Sequence, residues 1–330
     1  MNIASLASRL FHLAAATTLT FGALGAQAQA AWPTKPVKLI VPGSAGASAD
    51  TLGRVLAEAL SERMGQQFVI ENRVGAGGAI GALAVAKAAP DGYTLLFAQQ
   101  DSQVLVPLLK KNVPYDTERD FVPVAKVGDI YLIFTVNSAQ PYKTIQDLVA
   151  DAKARPGKLN FASGGEGGIN QLASELLKQR AGIDVVHVPY KGGGPATAAL
   201  LANEVTVFAG SYTLVGKSIE AGRLRGLAVT RPTRLPMLPA IPTMIESGFP
   251  DFNSSAWFGL FGPAQLPASI TRNLSDAVLA IAHSSSFKQR QLVVGAEGEP
   301  MGPEAFEKFL KEDIARWRAV ITKAGITLSD

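Results

Sequence analysis

Short runs of apolar residues alternate with longer segments in which apolar positions recur every three or four residues. In the first of these longer segments, Leu52, Val55, Leu56, Ala59 and Leu60 fall on one helical face. Repeated strand–helix–strand units predict an α/β fold with mainly parallel sheets and helices on both faces. The first block of the pattern predicts strands at Val37–Val41, Phe68–Glu71 and Thr94–Ala98, with helices near Asp50–Met64 and Ala79–Ala89.

A second block of the same kind begins at Thr144, which is a candidate helix N-cap. It predicts strands at Leu159–Ala162, Val185–Val188, Val205–Ala209 and Leu224–Val229, with helices at Ile145–Ala154, Ile169–Ala181 and Gly194–Ala202. Residues 231–256 are rich in proline and irregular. The tail predicts helices at Ala268–His283, Phe287–Val294 and Pro303–Ala324.

Two long apolar runs connect the blocks. Phe121–Val136 is expected to cross from one lobe to the other, and Trp257–Phe261 is expected to return. We therefore predict that residues 31–128 and 257–330 form the first lobe and residues 129–256 the second. A ligand cleft is expected between the two lobes.

The N-terminus has the pattern of a secretory signal peptide. Arg9 precedes an apolar stretch from Leu10 to about Leu24, and two A-x-A sites lie between Ala26 and Ala30. The stretch is shorter than the ~20 residues that span a bilayer. We therefore predict a signal peptide over residues 1–30, cleaved near Ala28 to Ala30, and an exported, periplasmic protein.

Composition excludes several classes of function. The chain has 330 residues, no cysteine and three histidines, and its net charge of +4 comes from scattered basic residues. Thiolate catalysis and thiolate metal sites are therefore excluded, and the clustered basic patch of a nucleic-acid partner is missing. His187 and His283 belong to no cluster that could hold a metal. We predict no metal, no cofactor and no nucleic-acid partner.

Two glycine- and serine-rich turns, each joining a strand to a helix, are the leading candidates for a ligand site. Helix starts leave N–H groups unpaired and carry a partial positive charge, so two facing starts would suit a small anion. The candidate ligand-binding residues in the first turn are Pro42, Gly43, Ser44, Ala45, Gly46, Ala47, Ser48 and Asp50. In the second turn they are Ser163, Gly164, Gly165 and Gly168.

Within these turns we expect the hydroxyls of Ser44, Ser48 and Ser163 and the amides of Gly46, Gly164 and Gly165 to contact the ligand. For Ser48 and Asp50, capping of the first helix is an equal alternative. A third turn, His187–Ala196, adds Tyr190 and Lys191, for which packing at a strand end is the equal alternative. His187 itself lies in an apolar run, which favours a histidine satisfied by a neighbouring group.

Several catalytic motifs are approached but not matched. Gly210–Ser218 resembles a phosphate-binding loop but has five residues between its glycines instead of four, and Gly75–Gly81 misses the dinucleotide pattern by one position. No G-x-S-x-G motif is present to activate a serine. The sequence therefore favours binding over catalysis.

The chain resembles the Bug (TctC-type) receptors, the extracytoplasmic solute-binding proteins of tripartite tricarboxylate transporters. The resemblance covers essentially the whole mature chain and is carried by Trp32–Pro36, Val41–Asp50, Glu71–Gly78, Ala89–Leu96, Val188–Gly192, Leu227–Thr230 and Ile241–Thr243. It implies a two-lobed, type II-like Venus-flytrap fold that closes on a small carboxylate held largely by backbone N–H groups.

The resemblance also adds residues to the expected site. The segment Phe97–Ser102 borders the cleft in such proteins, which brings in Gln99 and Asp101, where the family commonly has smaller residues. Gly210 stands where an aspartate often follows a strand in the family. If Asp101 and Glu166 both face the cleft, the ligand is expected to carry an amine or amide in addition to its carboxylate.

The implied function is a periplasmic receptor that is not an enzyme and that delivers a di- or tricarboxylate, an aromatic carboxylate or a related solute to membrane permease subunits. One alternative is an exported hydrolase with Ser48 or Ser163 as nucleophile, although the sequence places no base beside either serine. Another is a sensor of the same fold that signals to a membrane partner. The architecture suits a monomer.

Overall fold

The computed structural model describes residues 32–327, and the predicted signal peptide lies outside these residues. Its strands are β1 Val37–Val41, β2 Phe68–Asn72, β3 Thr94–Gln99, β4 Phe121–Asn137, β5 Asn160–Ser163, β6 Val186–Pro189, β7 Val207–Ser211, β8 Leu224–Val229 and β9 Ser255–Pro263. Its helices are α1 Ser48–Met64, α2 Ala79–Ala86, α3 Val106–Leu109, α4 Thr117–Asp120, α5 Ile145–Ala154, α6 Ile169–Ala181, α7 Gly193–Leu201, α8 Tyr212–Glu220, α9 Ala268–His283, α10 Ser285–Leu292 and α11 Pro303–Ala324. A 3₁₀ turn at Ala76–Gly78 precedes α2, and a π-helical turn at Asp101–Leu105 precedes α3.

The strands form two parallel groups joined by antiparallel strands. In the first half, β1 lies between β2 and β3 and is parallel to both. In the second half, β5 lies between β6 and β7 and is parallel to both. The helices that follow these strands bring the chain back to the same end of the sheet, so the glycine turns lie at the carboxyl ends of β1 and β5.

The strands that cross between the halves run antiparallel to their neighbours. Strand β9 pairs with β3 and β4, and β4 pairs with β7 and β8. The strand order is β2-β1-β3-β9-β4-β7-β5-β6, with β8 paired to β4. Parallel pairing thus holds for the outer strands of each half, while the centre is antiparallel because it is built from the two crossing segments.

Strand β4 contributes to both halves, as the long apolar run predicts. It pairs with β9 as far as Tyr131 and with β7 from Leu132 onward. Two register shifts interrupt its pairing with β9, and the side chains of Lys126 and Asp129 form a fully buried ion pair beside the second shift. Residues from Lys35 onward form one compact unit, and the exact lobe boundaries stay a prediction.

The core between β9 and α11 is aromatic. Trp257 of β9 packs edge-on against Phe306 of α11, with ring centroids 5.4 Å apart. Its indole Nε1 donates a hydrogen bond of 2.9 Å to the buried carboxylate of Asp313, which also accepts one of 2.6 Å from the Gln100 side chain. Helix α11 therefore fixes the segment that follows β3.

Candidate functional site

The first glycine turn leaves the start of α1 without a side-chain cap. The N-cap position is Ala47, whose side chain has no oxygen to accept a hydrogen bond. The first backbone bond of the helix comes from Thr51, which donates to the Ala47 carbonyl at 2.9 Å. The N–H groups of Ser48, Ala49 and Asp50 therefore precede the helical ladder, as unpaired donors at a helix start do.

Asp50 organises this turn from inside the protein. Its carboxylate is only 2% exposed and accepts hydrogen bonds from the Gly46 N–H at 2.9 Å, the Asn72 side chain at 3.0 Å and the Arg54 guanidinium at 3.0 Å. Burial opposes its ionisation, but the bonds from Arg54, Gly46 and Asn72 prevail and lower the pKa of Asp50. In the structure Asp50 and the Gly46 amide bind each other and shape the turn, and their contact with a ligand stays a prediction.

The second glycine turn starts α6 in the same way. The N-cap is Gly168, which has no side chain, and the first helical bond runs from Leu172 to the Gly168 carbonyl at 3.1 Å. Gly165 and Gly167 have φ values of 142° and 74°, conformations that favour glycine. A second helix thus begins with N–H groups that no side chain of its N-cap can satisfy.

Ser163 and the Gly165 amide are committed within the second turn. The Ser163 hydroxyl is buried, accepts a hydrogen bond from the Gly165 N–H at 3.2 Å and donates one to the Gly165 carbonyl at 2.9 Å. Both groups therefore have partners inside the turn, and their contact with a ligand stays a prediction. Gly164 presents its carbonyl to the Gly192 N–H at 3.0 Å, which ties the second turn to the third.

His187 and Gln171 complete the interior of the second turn. Ring nitrogen Nε2 of His187 lies 2.6 Å from the Ser163 Oγ, and Nδ1 lies 3.2 Å from Nε2 of Gln171. The Oε1 of Gln171 accepts a hydrogen bond from the Gly167 N–H at 2.7 Å, so its amide nitrogen must face the histidine. Since an amide nitrogen only donates, Nδ1 of His187 is an acceptor and the ring proton resides on Nε2.

A cavity of about 410 Å³ lies where the two turns meet. Its volume falls within the usual range for small-molecule sites. The residues that line it come from four segments of the chain: Pro42, Gly43, Ser44, Ala49, Val74, Gly75, Gly77, Gly78, Gln99, Asp101, Ser102, Leu105, Val106, Leu109, Glu166, Gly167 and Gly168. This set contains no lysine, arginine or histidine, so along the described chain no basic side chain borders the cavity.

Two acidic residues do line the cavity. Asp101 follows β3 and Glu166 belongs to the second turn, so the carboxylates come from opposite halves of the sheet. The carboxylate of Asp101 has no hydrogen-bond partner within residues 32–327 and remains accessible from the cavity. The protein that surrounds it displaces bulk water, and this desolvation raises the pKa of Asp101.

The structure brings together six of the predicted ligand-binding residues: Pro42, Gly43, Ser44, Gln99, Asp101 and Gly168. Ala45, Ala47 and Ser48 belong to the same first turn but do not border the cavity, and neither does Gly164 in the second turn. Tyr190 packs on the hydrophobic cluster of the second half, and Lys191 is exposed. Tyr190 matches the packing alternative, whereas exposed Lys191 neither packs there nor borders the cavity.

Gly210 lies inside β7 and away from the cavity. A Cβ at this position would lie 2.8 Å from both the Phe208 ring and the Val215 side chain. Close packing therefore accounts for the glycine without a ligand, and its place among the site residues stays a prediction.

Residues 74–78 form a wall of the cavity that sequence reasoning missed. A Cβ on Gly78 would lie 2.9 Å from the Ser102 Cβ and 3.2 Å from the Pro42 Cβ, and Gly78 has a φ of 95°. The glycines at 75, 77 and 78 let this loop approach the first turn closely. The cluster of glycines at 75, 77 and 78 itself indicates such a close approach of the backbone, even though it does not match the dinucleotide motif.

Two other features are absent from the described residues: a metal-binding cluster and a membrane-spanning helix. Over residues 32–327, no group of three or more His, Asp or Glu side chains is arranged to hold a metal ion. Over the same residues, no helix is both long and apolar enough to span a membrane.

Comparison with known proteins places this geometry in a family. The TctC family model, described as "Tripartite tricarboxylate transporter family receptor", matches residues 52–326. The chain is 36% identical over 302 residues to the protein BugT of Bordetella pertussis, covering 90% of this chain and 91% of BugT.

Solved structures agree with this match. An R. palustris protein solved with adipate has a TM-score of 0.74 and 34% identity, and covers 90% of this chain and 99% of its own. MatC from Rhodopseudomonas palustris, solved with bound malate, has a TM-score of 0.69 and 29% identity, with coverage of 88% and 100%. The predicted two-lobed α/β fold of periplasmic binding proteins is confirmed.

Proposed function

Because the chain belongs to the TctC family of tripartite tricarboxylate transporter receptors, we propose that it captures a small carboxylate in the periplasm and delivers it to the permease of such a transporter. Members of this family are periplasmic binding proteins. The adipate and malate bound to two structural relatives support a carboxylate as the ligand of this chain. Its cleavable signal peptide, its monomeric state and its permease partner are parts of the same proposal.

One observation carries the proposal: α1 and α6 both begin uncapped at the wall of one cavity. Ala49 of α1 and Gly168 before α6 border the same space. Since no basic side chain lines that space, a carboxylate would be held by main-chain N–H groups and the two helix starts. Each charge-assisted bond of this kind contributes about 1.5–3 kcal/mol before desolvation.

Asp101 and Glu166 add a requirement to the ligand. An ionised carboxylate on the cavity wall repels a second negative charge on the solute and favours an N–H or O–H donor. We therefore propose a solute that presents hydrogen-bond donors beside its carboxylate, such as an amino acid with an amide side chain. A plain dianion should bind less tightly.

Isothermal titration of the purified mature protein tests the proposal directly. The panel contains dicarboxylates, aromatic carboxylates and amino acids with amide side chains, with matched amines that lack a carboxylate. Binding of at least one carboxylate, with no heat from the amines, is the expected result. A protein that binds only the amines would overturn the anion site.

The hydrolase alternative is disfavoured by the direction of one hydrogen bond. His187 does lie beside Ser163, but its Nε2 carries the proton and cannot accept one from the hydroxyl. A nucleophilic serine needs a histidine nitrogen that carries no proton and can accept the proton of the hydroxyl. We expect no turnover in an esterase and amidase screen, and turnover lost in Ser163→Ala would favour the enzyme.

The partner separates a transport receptor from a sensor. Both use the same cavity, and the family match supports the transporter. Affinity capture from membranes, with and without ligand, tests the two. Recovery of transporter permease subunits is expected, and recovery of a membrane kinase alone would favour the sensor.

A further inference from the structure

The Gly167 end of the second glycine turn is held by the side chain of Gln171, as Ser163 holds the Gly165 end. The Gly167 N–H donates to Oε1 of Gln171 at 2.7 Å, while Glu166, Gly167 and Gly168 border the cavity. Gln171 is only 6% exposed, so water cannot readily replace it in this bond. The conformation of this cavity wall therefore depends on where the Gln171 amide points.

That orientation depends in turn on the protonation state of His187. With His187 neutral, Gln171 Nε2–H donates to Nδ1, His187 Nε2–H donates to the Ser163 hydroxyl, and this hydroxyl donates to the Gly165 carbonyl. Every donor in this chain of bonds has an acceptor. The network fits one tautomer of the neutral ring.

A second proton on His187 breaks this arrangement. The proton adds to Nδ1 and makes it a donor that faces the amide hydrogens of Gln171. Either Nδ1–H stays unpaired, or the Gln171 amide turns over and gives its oxygen to the ring. In the second case the amide nitrogen meets the Gly167 N–H, and the turn loses its anchor.

The groups around His187 set how easily it takes that proton. Burial is the largest influence and lowers the pKa of His187, Glu166 acts to raise it, and Lys178 acts to lower it. The His187 ring stacks on Phe161 of β5 at 4.8 Å. Lys178 lies 5.7 Å from the centre of the same Phe161 ring and is paired with Glu175 at 3.0 Å.

We propose that His187 and Gln171 are positioning residues of the second glycine turn, and that protonation of His187 releases this turn and weakens ligand binding in the cavity. Binding falls because the ligand must then order a turn that the protein no longer holds. The part that concerns the ligand rests on the proposed function, whereas the part that concerns the turn does not.

The first experiment uses ligand-free protein and nitrogen NMR of labelled histidine. We expect His187 to titrate below 6.5, to carry its proton on Nε2 when neutral, and to show faster hydrogen exchange at the Gly167 amide once it is charged. A proton on Nδ1 in the neutral ring would overturn the proposal. So would a Gly167 amide that is equally protected on both sides of the titration.

The second experiment measures ligand affinity at about pH 5 and at about pH 7.5, for a carboxylate that the panel identifies. We expect the ratio of affinities to differ about tenfold between the wild type and His187→Gln, the change that one lost hydrogen bond gives. The two proteins share every other residue of the cavity wall, so the difference between the two ratios belongs to the imidazole of His187. His283→Gln, at the exposed end of α9, is the matched control and should behave as the wild type.

Gln171→Glu distinguishes positioning from simple charge. A carboxylate accepts both from the Gly167 N–H and from a charged His187, so the turn stays anchored in both states. We expect a higher pKa for His187 and little change in ligand affinity as it titrates. An affinity that still follows His187 protonation in this variant would show that the charge acts directly, and would overturn the role of Gln171.

If no carboxylate binds at any pH, the proposed function fails. The NMR experiment still decides whether His187 controls the turn, because it needs no ligand. The two failures are therefore distinguishable.

Discussion

Replacing Asp50 with alanine should loosen the first glycine turn and weaken the protein measurably. The substitution removes the acceptor of three donors: the Gly46 N–H, the Asn72 side chain and the Arg54 guanidinium. Gly46 is exposed and the Arg54 side chain is 55% exposed, so water compensates for part of each loss. Two hydrogen bonds from neutral donors to the carboxylate, reduced by this compensation, and one largely exposed ion pair together give a loss of about 2–3 kcal/mol.

Thermal unfolding followed by circular dichroism measures this loss. For a chain of this size the expected fall in Tm is about 4–8 °C. Ligand affinity, measured by calorimetry, should fall by about tenfold because the turn must be ordered at the moment of binding. The two effects share one cause, the release of the Gly46 amide.

Asp147→Ala is the matched control for this prediction. Asp147 also accepts hydrogen bonds from two backbone N–H groups, those of Lys143 and Thr144, but at the start of α5 and away from the cavity. It should lower the Tm by losing a capping box and leave ligand affinity unchanged. The reasoning is refuted if Asp50→Ala keeps the wild-type affinity, or if its stability loss is below that of Asp147→Ala.

Three further predictions concern the cavity and its surroundings. Gly78→Ala should lower the free energy of unfolding in urea by about 2–3 kcal/mol, since a Cβ at this φ of 95° meets the Ser102 and Pro42 side chains. Gly222→Ala is the control, because Gly222 has a φ of 69° and nothing within 4 Å of its added Cβ, and it should lose only about 1 kcal/mol. Equal losses would contradict the packing argument. Asp101→Asn should bind a dicarboxylate about tenfold more tightly at a pH high enough to ionise Asp101 in the wild type, because it removes a repelling charge, and unchanged affinity there would place Asp101 outside the site. The stability that neutral His187 contributes should be present above pH 6.5 and lost as the pH falls below it, since the unfolded chain then binds the proton first. His187→Gln should flatten this part of the plot of unfolding free energy against pH. A wild-type plot that is already flat there would contradict the prediction.

Local sequence pattern predicts most of the elements that position the site. Strand β1, strand β8 and helix α6 begin and end where the apolar periodicity places them. The capping box of Thr144 and Asp147 fixes the start of α5 as its sequence signature indicates. These features depend on residues a few positions apart, which a single sequence displays.

The interior of the second turn could not be predicted in the same way. His187 reaches Ser163 because β5 and β6 pair in parallel with Phe161 opposite His187, and this register comes from tertiary packing. The sequence suggested a satisfied histidine without naming its partner. The antiparallel centre of the sheet was missed for a related reason, since the direction of β9 depends on how the two halves meet.

The first turn shows the limit of reading a cap from composition. Ser48 and Asp50 are both common N-cap residues, yet the N-cap is Ala47 and Asp50 turns inward to accept the Gly46 N–H. Propensity alone could not distinguish a carboxylate that faces solvent from one that three neighbours surround. The exposed fraction of Asp50, only 2%, shows that its carboxylate is of the second kind.

A binding wall without basic side chains has an evolutionary consequence. A main-chain donor survives almost any point substitution, whereas an arginine that holds a carboxylate can be lost in one step. Side chains around such a site can therefore diverge while the N–H groups that we propose as the carboxylate donors stay in place. Gln99, Asp101 and Glu166 line the same cavity, so substitution at these three positions is the simplest way to change which solute the protein prefers.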